Sequence, residues 1–127
     1  VMSICSDHQP HEPDAKLAPF PATEPGISAL ETLLPLTLKL SAQTGLPLID
    51  VIALVTCKPA QLLNLNAGSL SVDSPADICI FDPQQEWRLS ADTLQSEGKN
   101  TPYLNQTLTG RTTHTFVAGE LVYQLKK

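Results

Sequence analysis

Val1-Met2-Ser3-Ile4-Cys5-Ser6-Asp7-His8-Gln9-Pro10-His11 is the stretch on which the rest of the chain turns. Its first six residues are apolar or small, partly β-branched and uncharged, which predicts a strand buried on both faces. Strands of that kind belong to parallel sheets with covered faces. The rest of the chain offers few parallel neighbours, so the expectation is a segment that enters in the middle of a larger fold. With no basic residue before the apolar run, the start does not read as a signal peptide. The strand ends in a dense polar cluster, Asp7 to His11. In a (β/α) barrel the carboxyl ends of strands hold the reactive groups. There Asp7 could bind a metal or act as a general base, and a histidine beyond it could meet a metal or an anion. The same residue types are common in solvated turns, so residue type alone leaves both readings open.

Working outward, Asp7 to Gly26 is rich in proline (Pro10, Pro13, Pro19, Pro21, Pro25) and predicts a long loop without helix or strand. Loops of this length often carry function. Pro25-Gly26 closes the loop just before a helix, where backbone groups could approach an anion or simply turn the chain. Lys16 reads as a solvated charge. Ser28 and Glu31 fit a capping box that starts a helix, with Leu30, Leu33, Leu34, Leu38 and Leu40 on one face. Pro35 is expected to bend that helix, and Gly45 to stop it. Pro47 opens a second helix and Pro59 a third, which ends among Asn64, Asn66 and Gly68. The pattern then turns to strands. Asp77 to Asp82 is expected to be closed by Pro83, with a weaker strand at Trp87 to Leu89. Segments 113–117 and 120–125 flank Ala118-Gly119 as a hairpin. His114 reads as a surface or edge residue.

Composition narrows the function classes. Of the 127 residues 42% are apolar, enough for a core, and 17% are charged with a net charge of −5. No basic stripe supports nucleic-acid binding. The longest apolar run, 48–55, is interrupted by Asp50 and too short to span a bilayer. Cys5, Cys57 and Cys79 are an odd, widely spaced set, expected as small core residues of a reduced, cytoplasmic protein. No zinc-finger spacing is present. The organisation expected is α/β: the C-terminal end of a (β/α)8 TIM barrel over 1–66 and part of a small β-sandwich domain over 67–127.

Asp7-His8-Gln9-Pro10-His11, with Lys16, Pro19, Pro25-Gly26-Ile27 and Leu30-Glu31-Thr32 after it, resembles the C-terminal part of a dihydroorotase of the amidohydrolase type. That family carries Asp-His-Ala-Pro-His at the end of the eighth barrel strand. Ala76-Asp77-Ile78 and Val117-Ala118-Gly119 resemble its small β domain. The resemblance implies reversible cyclisation of N-carbamoyl-L-aspartate to dihydroorotate in pyrimidine biosynthesis. It implies Asp7 as the catalytic carboxylate and a metal-side residue at a binuclear zinc centre, passing a proton to the leaving amide nitrogen. His11 would hydrogen-bond the substrate carboxylate, and Pro25 and Gly26 would line the substrate. His8 would orient the turn. The family's His-x-His pair and its other zinc ligands are not in this sequence, so the isolated 127 residues are expected to be inactive.

Gln9 stands where the family usually has alanine. Dihydroorotase-like chains that have lost their metal ligands and support aspartate carbamoyltransferase also resemble Ser6 to Gly26. That non-catalytic role is therefore an alternative. A hydantoinase or allantoinase is another, although His11 favours a substrate with a free carboxylate. The family resemblance also implies a homo-oligomer.

Overall fold

The computed structural model describes residues 1–126. Three helices and three strands follow the proline-rich loop. They are α1 (Leu33–Thr44), α2 (Leu48–Ala53), α3 (Cys57–Leu62), β1 (Ile78–Arg88), β2 (Thr107–Val117) and β3 (Glu120–Gln124). The strands form one antiparallel sheet in the order β1-β2-β3. This is a mixed α/β arrangement, with α1 packed against both β2 and α2.

The ends of these elements follow from local chemistry. Gly45 stops α1 with φ +72 and returns its N–H to Ser41 O at 2.9 Å. Pro47 stands at the N-cap of α2. Asn64, with φ +53, ends α3. Ala118 and Gly119 both have positive φ, so β2 and β3 are joined by a two-residue turn of the kind that matches strand twist. Asp77 Oδ1 accepts the Ala118 N–H at 2.8 Å and fixes that turn to the start of β1.

Several expectations are corrected. Val1 to Ser6 forms no strand. Its backbone pairing is the Ile4 N–H to Leu54 O at 2.9 Å, followed by an isolated parallel bridge between His8 and Ile27. A strand exists only through its neighbours, and among the described residues no strand lies beside this segment. The proline loop is not free of helix: single 3-10 turns occur at Pro13–Lys16 and Phe20–Ala22, each with proline in its first positions. Proline lacks only an N–H that such a start leaves free. Pro35 lies in the first turn of α1 for the same reason, and α1 continues through Thr44.

Pro83 does not close β1 either. It sits in an irregularity between the pairs Asp82↔Arg111 and Glu86↔Thr109, where no ladder bond asks for its N–H. Asp82 Oδ1 accepts the N–H groups of Gln84 and Gln85 there, at 2.8 and 3.2 Å. On the opposite strand Gly110 has φ +97 and accepts the Trp87 indole N–H at 2.9 Å. A Cβ at Gly110 would overlap Leu38, so this glycine lets α1 lie directly on the sheet. His114 lies in the middle strand and is half-buried, not at an edge.

The core is divided. Leu89, Leu94 and Leu108 are buried beneath Trp87, Tyr103 and Leu104. Val51, Leu54 and Ala60 are buried among the helices. Cys5 and Cys79 are exposed and Cys57 is half-buried, so the cysteines do not act as core residues. Many large apolar side chains, including Met2, Leu63 and Val72, stay exposed. No helix among the described residues is long and apolar enough to cross a membrane.

Candidate functional site

Asp7 ends the extended segment with φ +44, a left-handed conformation that aspartate tolerates better than most residues. The backbone turns there, and residues 8–9 then run beside residues 26–27. Gln9 N–H donates to Ile27 O at 2.8 Å. This pairing brings the Asp7-to-His11 cluster against the Pro25-Gly26 turn.

Each side chain of the cluster has a definite partner. Gln9 Nε2 donates to Asp7 Oδ1 at 3.0 Å. His8 Nδ1 accepts the N–H groups of Ala29 and Leu30, both at 3.1 Å. Nδ1 serves there as a hydrogen-bond acceptor. His8 supplies the cap that the Ser28/Glu31 box was expected to supply. Ser28 is buried and its N–H donates instead to Asn100 O at 3.0 Å. Glu31 Oε1 reaches the N–H groups of Gln95 and Ser96, at 2.8 and 3.0 Å. The capping box fails because both of its members are drawn to the segment between β1 and β2.

His11 is held at both ends. Its N–H donates to Asn100 Oδ1 at 2.7 Å, and its Nε2 donates to Pro25 O at 2.9 Å. With Nε2 so engaged, Nδ1 is the ring atom left to meet another group. It can donate to an anion only when the ring carries both protons. The Gly26 carbonyl accepts from Lys16 Nζ at 2.8 Å and from Asn100 Nδ2 at 3.3 Å. Lys16 also donates to Glu24 O. Lys16 is thus a buttress of the turn and not a solvated charge. Gly26 has φ +95, and a Cβ there would collide with the Gln9 side chain. The turn requires glycine on both counts.

Asn100 was not legible as a site residue. Its side chain bonds to Gln9 O, His11 N and Gly26 O, and its backbone carbonyl bonds to Ser28 N. Gly98 approaches as closely: a Cβ there would overlap Pro10 and His11. In sequence, Gly98-Lys99-Asn100-Thr101-Pro102 reads as an ordinary turn, and nothing local shows a reach of 89 residues.

The residues present do not by themselves fit a metal centre. No group of three His, Cys, Asp or Glu side chains that could hold an ion occurs among the described residues. Asp7 offers one exposed carboxylate, and His8 and His11 each commit a ring nitrogen to the backbone. A binuclear site needs more ligands than this. Two open clefts of about 730 and 890 Å³ lie on the sheet side, and neither is lined by Asp7, His11, Pro25 or Gly26. What the cluster can do is present a carboxylate and an imidazole beside a tightly held turn.

The sequence model of the amidohydrolase family matches residues 2–122. The chain belongs to the amidohydrolase family. More particularly, it is 46% identical over 124 residues to a dihydroorotase-like protein of Pseudomonas aeruginosa. It is 42% identical over 124 residues to a dihydroorotase of a Geobacter species. Each match takes in 98% of this chain and 29% of the relative, so the chain spans under a third of those proteins' length. In fold it is similar to a D-hydantoinase from a Thermus species, with a TM-score of 0.85 and 25% identity over 98% of this chain and 28% of that one. A dihydropyrimidinase from Brevibacillus agri has the same fold, with a TM-score of 0.87 at 21% identity over 98% of this chain and 28% of that chain.

Proposed function

We propose that this chain forms part of a dihydroorotase, the enzyme that interconverts N-carbamoyl-L-aspartate and dihydroorotate in pyrimidine biosynthesis. The observation that carries the reading is the convergence of Asp7, His11 and the Pro25-Gly26 turn within one hydrogen-bonded unit. The chain supplies the closing part of a TIM barrel over 1–66 and part of a β-sandwich domain over 67–127. Asp7 is the catalytic carboxylate beside a zinc centre whose other ligands lie outside this segment. It carries a proton to the leaving nitrogen, a task suited to an exposed carboxylate at the end of an extended segment. His11 meets the substrate carboxylate through Nδ1, the ring nitrogen that its bond to Pro25 O leaves free. Pro25 and Gly26 form the wall of the substrate site. Their carbonyls are already occupied by His11, Lys16 and Asn100. The protein acts in the cytoplasm as a homo-oligomer.

The test is turnover of dihydroorotate and of N-carbamoyl-L-aspartate by the intact protein, with hydantoin and allantoin as alternative substrates. Turnover restricted to the carboxylate-bearing pair supports the reading. Turnover restricted to hydantoin or allantoin contradicts it.

A second reading is favoured by one contact. Gln9, in place of alanine, donates to Oδ1 of Asp7, one oxygen of the carboxylate the reaction needs. This suits a dihydroorotase-like subunit that supports assembly of aspartate carbamoyltransferase without catalysis. Co-purification with that enzyme, together with no turnover, distinguishes it.

A further inference from the structure

We propose that Asn100 is a positioning residue that sets the register between His11 and the Gly26 turn. The inference rests on the dihydroorotase reading for its substrate, but its geometry stands without it. Asn100 lies in the long connection between β1 and β2, far in sequence from the residues it touches. Its Oδ1 accepts the His11 N–H at 2.7 Å, the short end of the range for such bonds. Its Nδ2 has two hydrogens, and they meet Gln9 O and Gly26 O, both at 3.3 Å. Its own carbonyl accepts the Ser28 N–H at 3.0 Å. One residue therefore bonds to both limbs of the loop.

The chemistry of the amide suits this place. The limbs present one donor, the His11 N–H, and two acceptors, the carbonyls of Gln9 and Gly26. A carboxamide offers one acceptor oxygen and two donor hydrogens in a fixed plane. Aspartate at 100 would keep the acceptor and turn an oxygen toward the two carbonyls. Alanine would remove all three side-chain bonds. Neither change removes apolar burial, since Asn100 is outside the Leu89–Leu94–Leu108 core. The proposed consequence is placement: without the amide, His11 drifts relative to Gly26, and the substrate carboxylate loses its partner before any bond is broken. Binding should suffer more than the chemical step.

The experiment compares Asn100→Ala, Asn100→Asp and Leu94→Ala in the intact protein. Leu94→Ala disturbs the same connection through its core and serves as the structural comparator. The readouts are KM and kcat for dihydroorotate, the thermal midpoint, and the ¹⁵N resonances of the His11 ring. The proposal expects Asn100→Ala and Asn100→Asp to raise KM about 10-fold or more, with kcat within about threefold of wild type. It expects the His11 resonances to move in both variants and to stay in place in Leu94→Ala. Should Asn100→Ala merely lower the thermal midpoint, as Leu94→Ala does, with KM and the His11 ring unmoved, the proposal is overturned. If the wild type turns over no dihydroorotate, the dihydroorotase reading fails. The His11 resonances then decide the positioning role alone: displacement in both Asn100 variants upholds it, and unmoved resonances reject it.

Discussion

Gln9 donates its side-chain N–H to Oδ1 of Asp7 across 3.0 Å, so the carboxylate proposed for proton transfer is already bonded to its own neighbour. Both residues are exposed, and the bond exchanges readily with water. In an active enzyme, Gln9→Ala is expected to raise kcat by roughly 2- to 10-fold, since a solvent-exposed amide-to-carboxylate hydrogen bond is worth roughly 0.5–1.5 kcal/mol net. The thermal midpoint should barely change. Steady-state kinetics on the intact protein check this. A fall in kcat would mean that Gln9 assists Asp7.

Gly26 and Gly45 both have positive φ, yet they predict different costs. Nothing lies within 4 Å of a Cβ built at Gly45, so Gly45→Ala should cost only the backbone preference, about 1–2 kcal/mol. At Gly26 the new methyl meets the Gln9 side chain as well, and Gly26→Ala should cost at least about 3 kcal/mol. Gln9→Ala should not rescue it, because the Gln9 Cβ is itself in the way. Denaturant unfolding of the three variants orders them. Equal costs at the two glycines would contradict the close approach.

His8 caps the start of the helix that the resemblance and the sequence both place after the turn. His8→Leu leaves the Ala29 and Leu30 N–H groups without their acceptor and should destabilise by about 1–2 kcal/mol. Thermal melting measures the loss. No loss would show that water satisfies both groups.

Glu31 makes a similar prediction at the far end of the site. Glu31→Gln keeps an oxygen for the Gln95 and Ser96 N–H groups and should cost under about 1 kcal/mol. Glu31→Ala orphans both and should cost about 1–3 kcal/mol. Amide hydrogen exchange at residues 95 and 96 should rise in Glu31→Ala and stay near wild type in Glu31→Gln.

These residues also show what a linear reading can reach. Gly45, Pro47 and Ala118-Gly119 act through their own backbone, and their turns were legible without a partner. Family resemblance gave Asp7, His11, Pro25 and Gly26 roles around one substrate; their direct backbone pairing appears only in the structure. The capping box at Ser28 and Glu31 failed: Glu31 bonds to other backbone N–H groups, and Ser28 bonds only through its own N–H. Their partners came from residues 95–100, and local pattern carries no term for a competitor that distant. Asn100 escaped notice for the same reason. Val1 to Ser6 failed differently. Its apolar pattern predicts a buried strand, but Val1, Met2 and Cys5 are exposed, and a strand also needs a neighbouring strand, which the described residues do not provide.

The central claim is that Asp7 carries the proton in a dihydroorotase site. The most direct measurement is kcat for dihydroorotate hydrolysis by the intact protein and its Asp7→Asn variant, with KM recorded beside it. The account predicts turnover in the wild type and a fall in kcat of about 10²- to 10⁴-fold in Asp7→Asn, with KM within a few-fold. Unchanged kcat in Asp7→Asn, or a folded, metal-loaded wild type without turnover, would contradict it.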